Sequence, residues 1–309
     1  MKPKVYIDGK EGTTGLQIYE RLGGREDIDL LLIDEAKRKD PEERKKLINA
    51  ADLVFLCLPD DAAREAVTLL ENDSTRVIDA STAHRTAEGW VYGLPELDRD
   101  QRGRIASARF VANPGCHATG FITMVYPLIR AGILPRDYPL TCFSLTGYSG
   151  GGKKMIASYE AEGRPGELST PGIYAVTQSH KHLPEMTKIT GLTVSPVFCP
   201  IVDDYYKGMA TSIGLHAGHL TRKCGADEIR DALAAHYEGQ RFVRVAEEPG
   251  SGTLYAGYGT GKRGLEITVS GNDERILITA RFDNLAKGAS GAAVQNMNIM
   301  LGLDEATGL

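Results

Sequence analysis

The chemistry-bearing residues of this chain converge on one stretch, Asn113-Pro114-Gly115-Cys116-His117-Ala118-Thr119-Gly120. A β-like run over 109–112 ends in Asn-Pro-Gly, and Cys116 opens a largely apolar helical run that contains Pro127. A helix N-terminus favours a thiolate and turns backbone N–H groups toward an oxyanion, the two requirements of covalent acyl chemistry. Most cysteines are small buried apolar residues. That reading suits Cys57, Cys142 and Cys199, which lie in β-like runs, and Cys224 falls in a polar loop. Cys116 is the candidate nucleophile. Its acid/base partner is sought among the histidines, the usual proton carriers near neutral pH. His180 and His182 precede Pro184 and Glu185, which read as a first helical turn. Residues two apart in an extended segment share a face, so both can reach one pocket, with Glu185 orienting one of them. Spacing does not choose between the two. His117 is expected to point elsewhere along its helix. A metal at the two histidines lacks a third ligand, and no metal site is expected. Arg85, in the loop Ser81–Thr86 after a short apolar strand, suits bidentate recognition of phosphate. Gly147–Lys154 reads equally as an anion nest or a hinge, and Lys207 is a weaker substrate candidate.

A second constellation opens the chain. The β-run Lys4–Asp8 leads into Gly9, Gly12, Thr13, Thr14 and Gly15, a G-x-x-G-x-x-G turn entering a helix. Glycine there permits a tight turn and close backbone approach to a pyrophosphate, which the helix N-terminal amides attract. The end of the second strand, Asp34-Glu35-Ala36-Lys37-Arg38-Lys39, should meet the adenosine ribose. An acid there favours a 2′-OH and a base a 2′-phosphate. Lys37, Arg38 and Lys39 outnumber Asp34, so the predicted cofactor is NADP(H).

These groups need a scaffold, and the run of elements supplies one. Strand-like segments at 4–8, 28–34, 53–58 and 77–80 alternate with helical ones at 15–22, about 41–50 and 62–70, the pattern of a doubly wound parallel sheet. After Cys116 β-like runs dominate, at 141–145, 193–199, 212–216, 241–245, 265–270 and 276–282, which predicts a mixed or antiparallel sheet. The fold class is therefore α/β, with a Rossmann-type domain over 1–115 and a second α/β domain over 116–286. The terminal segment 287–309, with a helix over 292–303, is expected to pack back on the first domain. A net charge of −5 supplies no global field for nucleic acid or an anionic membrane. No apolar run approaches the ~18 residues of a membrane span. The charged N-terminus lacks a signal-peptide pattern, and five scattered cysteines without a C-x-x-C pair fit a reducing cytoplasm.

Four motifs in order, DG-x-x-GTTG (8–15), NPGCHATG (113–120), SHKHLPEM (179–186) and KGASGAAVQN (287–296), resemble the shorter form of the N-acetyl-γ-glutamyl-phosphate reductase family. The resemblance runs essentially end to end. It implies reduction of that acyl phosphate by NADPH, through a cysteine thioester, in arginine biosynthesis. It also implies a Rossmann domain joined to a mixed α/β domain carrying the contacts of a dimer or tetramer. By the resemblance Cys116 is the nucleophile, the acid/base lies at His180 or His182, and Arg85, Asn113 and Glu185 serve the substrate. Gly288 lies in the segment beside the nicotinamide. Related acyl phosphates (aspartyl, or carrier-linked aminoadipyl) remain alternatives, as does a nucleotide-sensing regulator with an inert Cys116. The Gly- and Tyr-rich segment 247–261 has no role in this reading.

Overall fold

The computed structural model describes residues 2–248 and 252–309. In chain order the main elements begin with β1 (Lys4–Asp8), α1 (Thr13–Leu22), β2 (Asp29–Leu31), α2 (Pro41–Ala50), β3 (Leu53–Leu56), α3 (Asp60–Thr68), β4 (Arg76–Asp79), β5 (Val91–Tyr92), α4 (Gln101–Ser107) and β6 (Phe110–Ala112). They continue with α5 (Cys116–Arg130), β7 (Thr141–Gly147), α6 (Gly152–Glu160), β8 (Gly172–Ile173), α7 (Leu183–Thr190), β9 (Val197–Asp203) and β10 (Met209–His216). Last come α8 (Ala226–Tyr237), β11 (Val243–Val245), β12 (Leu265–Gly271), β13 (Arg275–Phe282) and α9 (Gly291–Met300). The chain forms two compact units. One comprises Met1–Pro95, Asp100–Pro114 and Ala289–Leu309, the other Glu96–Arg99 and Gly115–Gly288.

The first unit is a six-stranded parallel sheet in the order β2-β1-β3-β4-β6-β5. Side chains alternate along each strand, so β1 sends Val5 and Ile7 to one core and Tyr6 to the other. Val5 and Ile7 meet Ile18, Ile105, Val294 and Met297 from α1, α4 and α9, while Tyr6 meets Ile48 and Ala63 from α2 and α3. The strand order reverses beside β1, a switch point where such sheets bind ligands at their carboxyl ends. The second strand is shorter than its apolar run of 28–34 predicts. Asp34 leaves it to cap a 3₁₀ turn, accepting the amide of Ala36. The start of α2 is as expected, with Asp40 accepting Glu42 N and Pro41 at the first helical position.

The second unit is a seven-stranded mixed sheet, β11-β12-β13-β10-β7-β9-β8. Helix α5 packs on β10 and β13, with α7 and α8 beside it. Pro127 does not end α5. Lacking an N–H, it leaves the Thr123 carbonyl without its helical donor, and the Tyr237 hydroxyl donates to that oxygen at 2.8 Å. The run predicted at 193–199 is realised later, as Val197–Asp203. Helices α6 and α8 were not expected. The triple glycine of 150–152 masks the first, and a polar composition the second, although Ile229, Leu233 and Tyr237 form a buried i, i+4, i+8 stripe. Among the described residues, no helix is long and apolar enough to cross a membrane.

Lys287, just after β13, is buried against Glu96 at 2.7 Å, which ties the short 96–99 excursion into the second unit. Removing one partner of such a pair strands the other charge in the interior. Glu96→Ala should lower unfolding stability by about 3–5 kcal/mol, read from denaturant midpoints, and the double variant with Lys287→Met should recover most of the loss.

Candidate active site

In the second unit Cys116 is the first residue of α5, and Gly115, its N-cap, has no side chain to satisfy the exposed amides. The Gly115 amide donates to Glu185 Oε2 at 3.1 Å, and its carbonyl accepts from Thr119 N and Oγ1 at 2.8 and 3.0 Å. The helix dipole favours negative charge where the thiol stands. Cys116 is partly exposed. By contrast, burial pushes the thiols of Cys57 and Cys142 well above the ordinary range, so neither is a nucleophile. Gly288 lies against the nucleophile, since a Cβ there would stand 2.9 Å from the Cys116 Cβ. Only glycine fits without moving one or the other. Gly288 falls in a π turn over Ala286–Ser290, a local geometry frequent at functional sites.

His180 and His182 come together with ring centroids 4.6 Å apart. They meet through a turn and not an extended segment: His182 is helical in conformation, and its amide donates to His180 Nδ1 at 3.1 Å. A neutral His180 therefore carries its proton on Nε2. His182 is buried, with Nε2 4.0 Å from Glu185 Oε1. His117 does not point away as its position in sequence suggested. Its ring lies 5.7 Å from His180 and 5.6 Å from His182. Nδ1 meets Ser144 Oγ and Nε2 meets the Tyr174 hydroxyl, each at 2.7 Å. Burial, then the nearby His180, lowers its pKa to about 3, so it stays neutral through the physiological range. Burial, and then Cys116, raises the Tyr174 phenol well above its usual value.

Sequence reasoning missed Tyr174, which lies in a polar loop without periodicity. The same loop holds Ala175 and Gln178 at φ +50° and +57°, uncommon for residues with a Cβ. Gln178 secures it by bonding both the amide and the carbonyl of Phe198 at 2.8 Å.

In the first unit the predicted nucleotide turn is built as its glycines require. Gly9 has φ +87°, and a Cβ on it would stand 2.4 Å from the Cys57 carbonyl oxygen. A Cβ on Gly15 would stand 2.4 Å from the Gly9 carbonyl. Gly12 is the N-cap of α1 without a side-chain cap, and Thr13 and Thr14 open the helix, so its N-terminus is available to an anion. Beside this turn lies a cleft of about 400 Å³ lined by Gly9, Lys10, Leu32, Arg38, Lys39 and Arg44 among others. Arg44 makes a buried fork to Asp8 at the end of β1, with contacts of 2.9–3.3 Å. Lys37 is not among the lining residues; it pairs with Glu43 at 3.3 Å.

Arg85 Nε donates to the Asn113 carbonyl at 3.0 Å, and the loop beneath it is fixed by buried Asp79, which bonds Ser81 Oγ and His84 Nδ1. Asn113 is buried. Its amide donates to the Ala289 carbonyl at 3.0 Å and accepts from Asn296 at 3.2 Å. The side chains of Asn113 and Glu185 are thus engaged in shaping the turn on either side of Pro114. Gly147–Lys154, which reads equally as an anion nest or a hinge, forms a 3₁₀ turn running into α6, and Lys207 lies 3.4 Å from buried Asp283.

A parallel sheet with a glycine-rich turn at its switch point, and a mixed sheet bearing a cysteine at a helix start, are the two parts of a Rossmann-type dehydrogenase of the semialdehyde dehydrogenase class. Residues 32–105 match the semialdehyde dehydrogenase NAD-binding domain, and 116–284 the semialdehyde dehydrogenase dimerisation domain. The fold is that of aspartate semialdehyde dehydrogenase II from Vibrio cholerae (TM-score 0.74, 16% identity, 98% and 99% of the two chains). The enzyme from Francisella tularensis is similar (TM-score 0.72, 15% identity, 97% and 100%). The chain is 50% identical to N-acetyl-γ-glutamyl-phosphate reductase 2 of a Nostoc species (100% of this chain, 99% of the relative). It is 48% identical to its counterpart in Pseudomonas putida (99% of each). This chain belongs to the N-acetyl-γ-glutamyl-phosphate reductase family.

His117 yields a pH signature. Its folded pKa lies below the unfolded value near 6.5, so the unfolded state binds the extra proton between the two. Its contribution is complete above about pH 6.5 and is lost as pH falls toward 3, with a slope of at most ~1.4 kcal/mol per unit. Unfolding titrations of His117→Asn should show a shallower acid decline than wild type over that window.

Proposed function

We propose that this chain reduces N-acetyl-γ-glutamyl phosphate to N-acetylglutamate semialdehyde with NADPH and releases phosphate, the arginine-biosynthetic reaction for which its relatives are named. The observation that carries this reading is Cys116 at an α5 N-terminus whose N-cap lacks a side chain. The Cys116 thiolate attacks the acyl carbon, the amides at the helix start hold the oxyanion, and the carbon–oxygen bond to phosphate breaks to leave a thioester. NADP(H), which the Gly9–Gly15 turn, Arg38 and Lys39 would hold, would supply the hydride that reduces the Cys116 thioester to a thiohemiacetal. Breaking the carbon–sulfur bond then frees the aldehyde and returns the thiolate. Proton transfer at the substrate oxygen falls to His180, which is partly exposed and whose Nδ1 accepts the His182 backbone amide. His182, buried near Glu185, orients it. Arg85 serves the phosphate.

NADP over NAD is supported by Arg38 and Lys39 lining the cleft while Asp34 is occupied as a cap. A homo-oligomer is supported by the open sheet face, where Phe143, Val197 and Leu277 are exposed on the same side by strand register.

The reverse reaction tests the mechanism. With N-acetylglutamate semialdehyde, NADP and phosphate, wild type should form NADPH only when phosphate is present, and Cys116→Ala should be silent. Turnover without phosphate, or an active Cys116→Ala, would overturn it. For the cofactor, Arg38→Ala should raise the KM for NADP about tenfold, as a lost charge-assisted contact implies, and leave that for NAD nearly unchanged.

A further inference from the structure

The loop of the first unit that presents Arg85 has no regular secondary structure, yet its donors are committed to side chains. Asp79 ends β4, and its carboxylate is fully buried. Oδ1 accepts the Ser81 amide at 2.8 Å, and Oδ2 accepts the Ser81 hydroxyl at 2.7 Å and His84 Nδ1 at 2.6 Å. A carboxylate only accepts, so the imidazole carries a proton on Nδ1. Asp60, at the start of α3, takes both the amide and the hydroxyl of Thr82, at 3.0 and 2.5 Å. Ala83 N then closes on Ser81 Oγ at 3.0 Å. The successive amides of 81–83 are thus all held by side chains, which fixes the path of the loop into Arg85.

His84 is the member that ties this loop to the core. Its ring lies flat on Trp90, with centroids 4.1 Å apart and planes 9° from parallel. Trp90 in turn packs on Phe110 of β6 at 5.0 Å and against the apolar core of that side of the sheet. The stack fixes the plane of the imidazole, and the bond to Asp79 fixes its rotation within that plane. The next residue is Arg85, whose Nε and Nη2 rest on the carbonyls of Asn113 and Ala80 at 3.0 and 3.4 Å. Asn113 donates its own amide to the Asp79 carbonyl at 2.8 Å, so carboxylate, loop and guanidinium meet at one strand end. We propose that His84 is a positioning residue for phosphate, which orients the Arg85 side chain by bridging Trp90 and Asp79. This rests on the reading that Arg85 serves the phosphate. A cation held in place beforehand need not be ordered when the anion arrives, so loss of the bridge is read as loss of phosphate affinity.

The test uses the full chain and the phosphate-dependent reverse reaction. His84→Leu should raise the KM for phosphate about tenfold, as loss of a charge-assisted hydrogen bond implies, with the KM for NADP unchanged and kcat at saturating phosphate far less affected. His84→Asn, which offers Nδ2 to Asp79 where the imidazole offers Nδ1, should recover most of that affinity. A role in folding alone would lower kcat or weaken phosphate and NADP together, and the Asn variant would not restore either. Calorimetric titration of inorganic phosphate into Cys116→Ala, with and without His84→Leu, should show the same loss in the absence of turnover. Equal phosphate affinity in wild type and His84→Leu, or an equal loss in the Leu and Asn variants, would overturn the proposal. Phosphate affinity unchanged in Arg85→Ala would overturn the assignment of Arg85 and the role of His84 with it. An active Cys116→Ala would sink the thioester alone, because the calorimetric comparison does not depend on the thiol.

Discussion

A cysteine at the first position of a helix creates a problem that the groups around it resolve. The N-cap is glycine, so the turn into α5 cannot be held by its own side chain. The buried carboxylate of Glu185 holds it from outside by accepting the Gly115 amide. Glu185 belongs to the first turn of α7, and the residues leading into that turn are His180 and His182. One carboxylate therefore fixes the position of Cys116 relative to His180 and His182. Both depend on the same hydrogen bond, and the placement of the two imidazoles follows from how α7 starts.

The surrounding groups extend that constraint. Gly288 gives Cys116 its clearance, and the preceding residue, Lys287, is pinned by a fully buried ion pair with Glu96. A charge pair with no access to water has few alternative arrangements, so it holds the 287–288 backbone against the thiol. On the other side His117 is buried and neutral, bridging Ser144 and Tyr174. Kept uncharged, it can fix Tyr174 near the thiol without placing a permanent positive charge in the core.

Much of this was legible in the sequence because local chemistry and periodicity coincided. The strand–glycine turn–helix at 4–22 and the strand–turn–Cys–helix at 109–130 each carry their signals within a few residues. What was not legible depends on pairing at long range. His117 was set aside because its position along α5 was judged without knowing that α7 lies beside that helix. Tyr174 had no periodic neighbours to mark it. Helix α8 was hidden by polar residues although its buried stripe is regular, and β2 was overextended because Asp34 acts as a cap and not as a strand end.

Asn113 and Glu185 show how a motif can be located in the sequence while the bonds its members make stay hidden. Both flank the nucleophile in sequence or in space, and by resemblance both were assigned to the substrate. Each is nevertheless buried, with Asn113 bonded to the Ala289 carbonyl and the Asn296 side chain and Glu185 to the Gly115 amide. A side chain satisfied in this way gains nothing by turning to a ligand unless it first gives up a buried hydrogen bond, at roughly 1–3 kcal/mol. Arg85 is different in kind, because a guanidinium has five donors, of which Nε holds the Asn113 carbonyl at 3.0 Å and Nη2 reaches the Ala80 carbonyl at 3.4 Å. Donor capacity, more than proximity to Cys116, sets how many partners a side chain at this turn can hold.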